Sequence, residues 1–192
     1  MTEKIGVERR LIDSFKELAL TVPVEKITIK EITDKAGVIR TTFYNHFQDK
    51  YMLMEKLFYE DIIQPVKPLL DNDMVDETLL LIFKNLQKEK ALYTRLSHTS
   101  GQNSFEQIIR GLIRDMLIDY MNQRTSPAQL QLIRQKYRWL TLDNIADYYA
   151  QSMTFVAISW IQSSTDATPE EVAGIFDVIL TSSLKDFLNN LA

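Results

Sequence analysis

Apolar residues recur along this chain at intervals of three and four, the spacing that lines one face of an α-helix. Leu11, Ile12, Phe15, Leu18, Ala19 and Val22 form a first stripe that Pro23 ends, and Ile29, Ile32 and Ala36 form a second. Phe43 and Phe47 stand one turn apart in a third. Leu53, Met54, Leu57, Phe58 and Ile62 make a fourth, which Pro65 and Pro68 are expected to end or kink. Further stripes follow at Leu79–Leu86, at Leu92–Leu96, and over Phe105, Ile108, Leu112, Met116 and Tyr120. A last one runs through Val172, Ile175, Phe176, Ile179, Leu180, Ser183, Leu184 and Phe187. No segment alternates apolar with polar residues in the manner of a strand, so the expected fold class is all-α.

Helix starts are marked by a hydroxyl residue three positions before a glutamate or glutamine, the spacing of a capping box. Thr28 precedes Glu31 in this way, Ser104 precedes Gln107, Ser126 precedes Gln129 with Pro127 between them, and Thr168 precedes Glu171. After the Thr28 start, Gly37 falls where a left-handed residue would close the helix. Two short helices about such a turn describe a helix-turn-helix. If Phe43 faces the core, a step of 100° per residue puts Phe47 beside it and Ile39 close by. Thr41 and Asn45 then point outward, Thr42 and Tyr44 lie on the flanks, and Arg40 sits in the first turn. Such groups exchange hydrogen bonds with base edges and phosphates.

The run AGVIRTTFYNHFQDKYMLMEKLF resembles the signature of the TetR family of transcriptional regulators, in its alanine-glycine-valine turn, its TFYNHF helix and its following lysine. The resemblance implies a three-helix DNA-binding head over residues 1–50 and a helical regulatory and dimerisation domain over 51–192. It implies DNA contacts at Thr28, Arg40, Thr41, Thr42, Tyr44, Asn45, His46 and Lys50. Ile39 departs from the pattern, standing where the family often has a hydroxyl or amide cap, so the recognition helix is expected to start differently, with Thr41 as a candidate cap. TSGQNSF and WIQSSTDATPEEV are more loosely similar to a subgroup of regulators resembling the dihydroxyacetone-kinase operon activator. By resemblance the chain is a homodimeric regulator of a near-palindromic operator on double-stranded DNA, a repressor released by a small-molecule effector. The alternative is a partner-dependent activator, or a helical protein-interaction module without a small ligand of its own.

The segment Asn144 to Ser163 is apolar around most of its circumference, which calls for burial on several sides. Paired with the last helix across a two-fold axis it would build a four-helix bundle, with Val156, Trp160, Phe176, Ile179, Leu180 and Ser183 at the interface. Otherwise both helices are core elements of a monomer. Tyr93, Phe105, Met116, Tyr120, Trp139, Tyr148 and Phe155 are candidate linings of an effector pocket, and equally the materials of a plain core.

Composition narrows the remaining choices. The 192 residues carry 22 basic and 26 acidic side chains, a net charge of −4 that disfavours nucleic-acid binding. The basic residues from Lys4 to Lys50 leave the first fifty residues nearly neutral, however, and restore local attraction. There is no cysteine, so disulfides and thiolate metal sites are excluded. No zinc motif, phosphate loop or nucleophile elbow occurs, and neither an enzyme nor a cofactor or metal site is expected. The start lacks a secretory pattern and no apolar run approaches the roughly 20 residues that cross a bilayer. A cytoplasmic protein without membrane contact is the expectation.

Overall fold

In the computed structural model, residues 2–101 and 103–181 are described, with side chains described over 6–101 and 103–176. All regular structure among them is helical: α1 (Thr2–Ala19), α2 (Ile29–Ala36), α3 (Arg40–Tyr44), α4 (Lys50–Phe58), α5 (Gln64–Asp71), α6 (Val75–Lys88), α7 (Lys90–Ser97), α8 (Phe105–Arg124), α9 (Pro127–Lys136), α10 (Leu142–Gln162) and α11 (Pro169–Thr181). A single hydrophobic core runs from Leu11 and Phe15 through Phe43, Phe58 and Phe83 to Trp160 and Phe176, so the N-terminal helices and the body share one interior.

The caps explain why the helices begin where they do. Thr28 and Ser126 close complete capping boxes with Glu31 and Gln129. Ser104 accepts from the Gln107 amide, and the Thr168 and Glu171 groups satisfy each other at the start of α11. Asp49 caps α4 through two backbone amides, each at 2.8 Å, and Thr141 caps α10. Each such cap satisfies helix donors that would otherwise lack partners, worth about 1 kcal/mol.

Pro65 and Pro68 do not end the connecting helix. Between α4 and α5 lies a π-helical turn, Tyr59–Ile63, and the chain stays helical from Lys50 to Asp71. The wider turn supplies the physical reason. It shifts the carbonyl with which the Pro65 ring would collide, just where proline lacks its own donor.

α8 and α10 lie antiparallel. Arg114 donates to Asp143 at 2.6 Å and to Asp147 at 2.7 Å, and Arg110 to Gln151 at 2.8 Å. α9 connects the two at the far end. At the near end, the Thr94 hydroxyl donates to the Ile161 carbonyl (3.1 Å) and Arg95 to the Ala19 carbonyl (2.7 Å), tying α10 through α7 to α1.

Candidate nucleic-acid interface and regulatory cavity

α2 ends in a Schellman closure. Gly37 takes φ +66°, Val38 donates to the Thr33 carbonyl at 3.0 Å, and the chain reverses into α3. A side chain at this φ would be strained, so the turn itself requires glycine. Phe43 and Phe47 are buried with ring centroids 5.7 Å apart, and they set the roll of α3. Arg40, Thr41, Tyr44 and Asn45 are exposed in consequence, and Thr42 is half-buried. The polar face expected of this helix is therefore presented to solvent.

Five residues behave otherwise. Ile39 is 70% exposed instead of joining the core, because α3 starts immediately after it and its extended backbone turns the side chain away. No side chain caps α3, and Thr41 lies inside the helix, so it does not serve as the cap. Lys50 does not reach outward for a phosphate. Its ammonium donates to the carbonyls of Glu25 and Ile27, both at 2.8 Å, one within and one just after the 3-10 turn Val24–Lys26. Burial lowers its pKa despite the nearby Glu25 and Asp49 charges. His46 turns its ring toward α1, with Nδ1 buried 3.7 Å from the Glu8 carboxylate, which leaves little of the side chain for a phosphate. The Thr28 hydroxyl, although exposed, is engaged by Glu31 at 2.7 Å.

In the body, Phe58, Ile62, Ile63, Leu79, Ile82, Phe83, Leu86, Ile109, Ile113, Met153, Ala157, Ile161 and Phe176 surround a cavity with essentially no polar surface. It is narrow. The centre of a water-sized sphere sweeps only about 20 Å³ of it, where roughly 10–15 Å³ is needed to hold one water. The π-helical turn forms part of its wall through Ile62 and Ile63, while the same turn sends Asp61 to Lys16 of α1 at 2.7 Å. Lys16 also meets Glu89 at 3.0 Å. Burial pulls the Lys16 pKa down, but the Asp61 and Glu89 hydrogen bonds and charges outweigh it and raise the pKa above the usual value. The Tyr93 hydroxyl points at Asp61 from 3.4 Å, and burial followed by the Asp61 charge raises that phenol well above its ordinary value.

The profile of a family described as "Transcriptional regulator C-terminal region" (TetR_C_8) matches residues 73–182. The chain belongs to the TetR family of transcriptional regulators. Over 96 residues it is 25% identical to the HTH-type dhaKLM operon transcriptional activator DhaS of Lactococcus lactis subsp. lactis (strain IL1403), an alignment covering 50% of this chain and 51% of that protein. The chain thus aligns with about half the length of that curated relative. Two solved structures share the fold. A TetR-family regulator from Syntrophomonas wolfei str. Goettingen superposes with a TM-score of 0.63 at 18% identity, over 93% of this chain and 96% of that one. NalD of Pseudomonas aeruginosa, described as the secondary repressor of the MexAB-OprM multidrug efflux pump, gives 0.61 at 16%, over 94% and 97%.

Within this TetR-family body, none of the seven candidate lining residues faces the apolar cavity. Tyr93 and Phe105 stack at 6.0 Å and pack with Phe58 as core. Met116 is buried as well, and both it and Tyr120 border a separate shallow pocket beside Lys67 and Leu70. Tyr120 is held by Asp73 at 3.1 Å and by Arg124 over its ring. Trp139, Tyr148 and Phe155 are exposed. The cavity is built instead from isoleucines and leucines that read as ordinary core in sequence.

Two of the expected interface residues are buried within the chain itself. Trp160 is buried within the chain, its indole donating to the Ala167 carbonyl at 2.9 Å and its ring meeting Phe83 edge-on. Phe176 packs on the same Phe83. Both side chains are buried inside the chain, and Val156 is half-buried. The side chains of Ile179 and Leu180, and Ser183 altogether, lie outside the described residues. What α10 and α11 offer outward is Tyr148, Phe155 and Ile175. Among the described residues no helix is long and apolar enough to cross a membrane.

Proposed function

We propose that the chain is a homodimeric, operator-binding repressor in which residues 1–50 read DNA and residues 51–192 dimerise and sense an effector. The observation that carries this reading is the exposed Arg40, Thr41, Tyr44 and Asn45 face held by buried Phe43 and Phe47. Thr41 and Asn45 read base edges, with Tyr44 and Thr42 beside them, and Arg40 meets a phosphate. Lys50 and His46 act as positioning residues: Lys50 locks the turn before α2 to the start of α4, and His46 packs against α1. Two subunits joined through the exposed Tyr148–Phe155 face of α10 and the Ile175 face of α11 present two such helices. Half-sites about 34–36 Å apart follow from that geometry.

The effector is uncharged and apolar, because the cavity offers it no polar partner. A molecule of more than a few atoms spreads the helices on entering so narrow a space. The π-helical turn then moves, and with it the Asp61–Lys16 link to α1. A duplex from the region upstream of the protein's own gene, titrated by fluorescence anisotropy, tests the reading. A tight complex that weakens steeply with salt supports it; absence of any preference over unrelated duplexes refutes it. The narrow cavity also favours a second reading, an activator that answers to a protein partner, and DhaS carries the word activator in its description. Release of the operator by apolar small molecules would decide against that second reading.

A further inference from the structure

α9 is a ten-residue helix without one buried residue. Helices this short are marginal in water unless tertiary packing supports them, yet here Leu132 is 64% and Trp139 78% exposed, with Tyr137 open beside them. Leu130 and Ile133 only border an open cleft against Ile118 and Leu142. Charge sets the segment apart too. Between residues 120 and 142 the chain carries Arg124, Arg134, Lys136 and Arg138 and no acidic residue, although acidic side chains outnumber basic ones 26 to 22 over the whole protein. Arg124 is spent on Asp73, whereas Arg134, Lys136 and Arg138 form no ion pair among the described residues. The α9 hairpin also lies at the end of the α8–α10 pair opposite the attachment to α1, about 30 Å away along a 21-residue helix.

We propose that the α9 hairpin is an arm that docks on a second copy of this chain, its apolar side chains and cations lying on the acidic outer surface of the partner's body. This rests on the homodimer reading above. The hairpin runs directly into α10, so a subunit seated on the Tyr148–Phe155 face lies next to it. Two cationic hairpins repel each other, which disfavours arm-to-arm packing across the two-fold axis. Outside the hairpin's Arg134, Lys136 and Arg138, residues 51–192 carry 18 acidic against 10 basic side chains, and this excess supplies the complementary charge.

Two measurements on the full chain test the arm. Trp139 and Trp160 are its only tryptophans, and only Trp139 is open in the single subunit, so acrylamide quenching across a dilution series reports on Trp139. Quenching should fall as dimer forms. Sedimentation equilibrium of Trp139→Ser, and of the triple variant Arg134→Glu, Lys136→Glu, Arg138→Glu, should show a dissociation constant raised at least about tenfold, as for loss of a buried aromatic anchor. The salt dependence of dimerisation should shrink in the triple variant. A wild-type dimer in which Trp139 stays fully quenchable, with both variants dimerising as the parent does, overturns the arm and leaves the dimer standing. Protection of Trp139 by added duplex DNA alone overturns it equally. A wild-type chain monomeric at every concentration removes the homodimer itself, and Phe155→Glu separates the cases by breaking the α10 contact while leaving the hairpin intact.

Discussion

α3 and α9 are both short surface helices, at opposite ends of the molecule, and they differ in what holds them. α3 has five residues and no side-chain cap, but Phe43 and Phe47 tie its inner side into the core and a Schellman turn fixes its approach. α9 has ten residues, a complete capping box and a proline in its first turn, but no buried residue. Local signals shape α9 well and leave it unattached; core packing attaches α3 despite its poor start. A surface that must present side chains at a fixed angle needs the second arrangement, since the roll of a helix is set by what it buries. A surface completed by another molecule can use the first.

Removing the anchor gives the largest effect. Phe43→Ala should cost about 3–5 kcal/mol in chemical denaturation, as for other buried aromatics, and abolish operator binding because α3 loses its roll. The matching change on the distal helix, Leu132→Ala, should move monomer stability by no more than about 0.5 kcal/mol, since an exposed side chain leaves no cavity. Comparable losses at both positions would erase the distinction between an anchored and an unanchored helix.

Lys50 sharpens the contrast. Lys50→Met leaves the Glu25 and Ile27 carbonyls without their charged donor, a loss of about 1.5–3 kcal/mol. Because Glu25 also accepts from the Ser100 amide at 3.2 Å, the link from the 3-10 turn to the body loosens with it. DNA affinity should fall through the folded head, with the slope of log affinity against log salt unchanged. A shallower slope would instead return Lys50 to direct phosphate contact. By comparison, Thr41→Ala and Asn45→Ala should leave denaturation curves alone and reduce discrimination between operator and unrelated duplex by about 1–3 kcal/mol each, measured by competition anisotropy.

These cases also mark what was legible in the chain. The caps at Thr28, Ser104, Ser126 and Thr168 and the burial of Phe43 and Phe47 depend on neighbours within a few residues, so spacing reveals them. Lys50 reaches carbonyls 23 and 25 residues away, and the Lys16–Asp61–Glu89 cluster joins α1, the π-helical turn and the α6–α7 junction; no local pattern encodes such partners. The cavity has no local signature for a related reason. Ile62, Ile82 and Ile113 look like any core residue until helix packing leaves a gap between them. For Trp139 and Phe155, size and apolarity suggest an interior that the single chain does not provide. Pro65 looks like a stop in sequence, whereas the widened turn before it absorbs what an ideal helix cannot.

The smallest effect concerns the cap that starts α2. The Thr28 backbone amide, and then its hydroxyl, hold the Glu31 carboxyl below the ordinary carboxylate value of 4.5. A carboxyl whose folded pKa is depressed contributes stability above its unfolded pKa, and that contribution is lost as pH falls through the folded pKa. Glu31→Gln keeps an acceptor for the same donors at every pH. Its stability deficit relative to wild type should therefore be visible at neutral pH and close below about pH 4, as followed by urea denaturation. α9 supplies the internal control, because its box already uses Gln129 in that role and has no proton to gain. A deficit that stayed constant down to pH 3 would mean that the Glu31 charge plays no part in starting α2, and that shape alone closes the box.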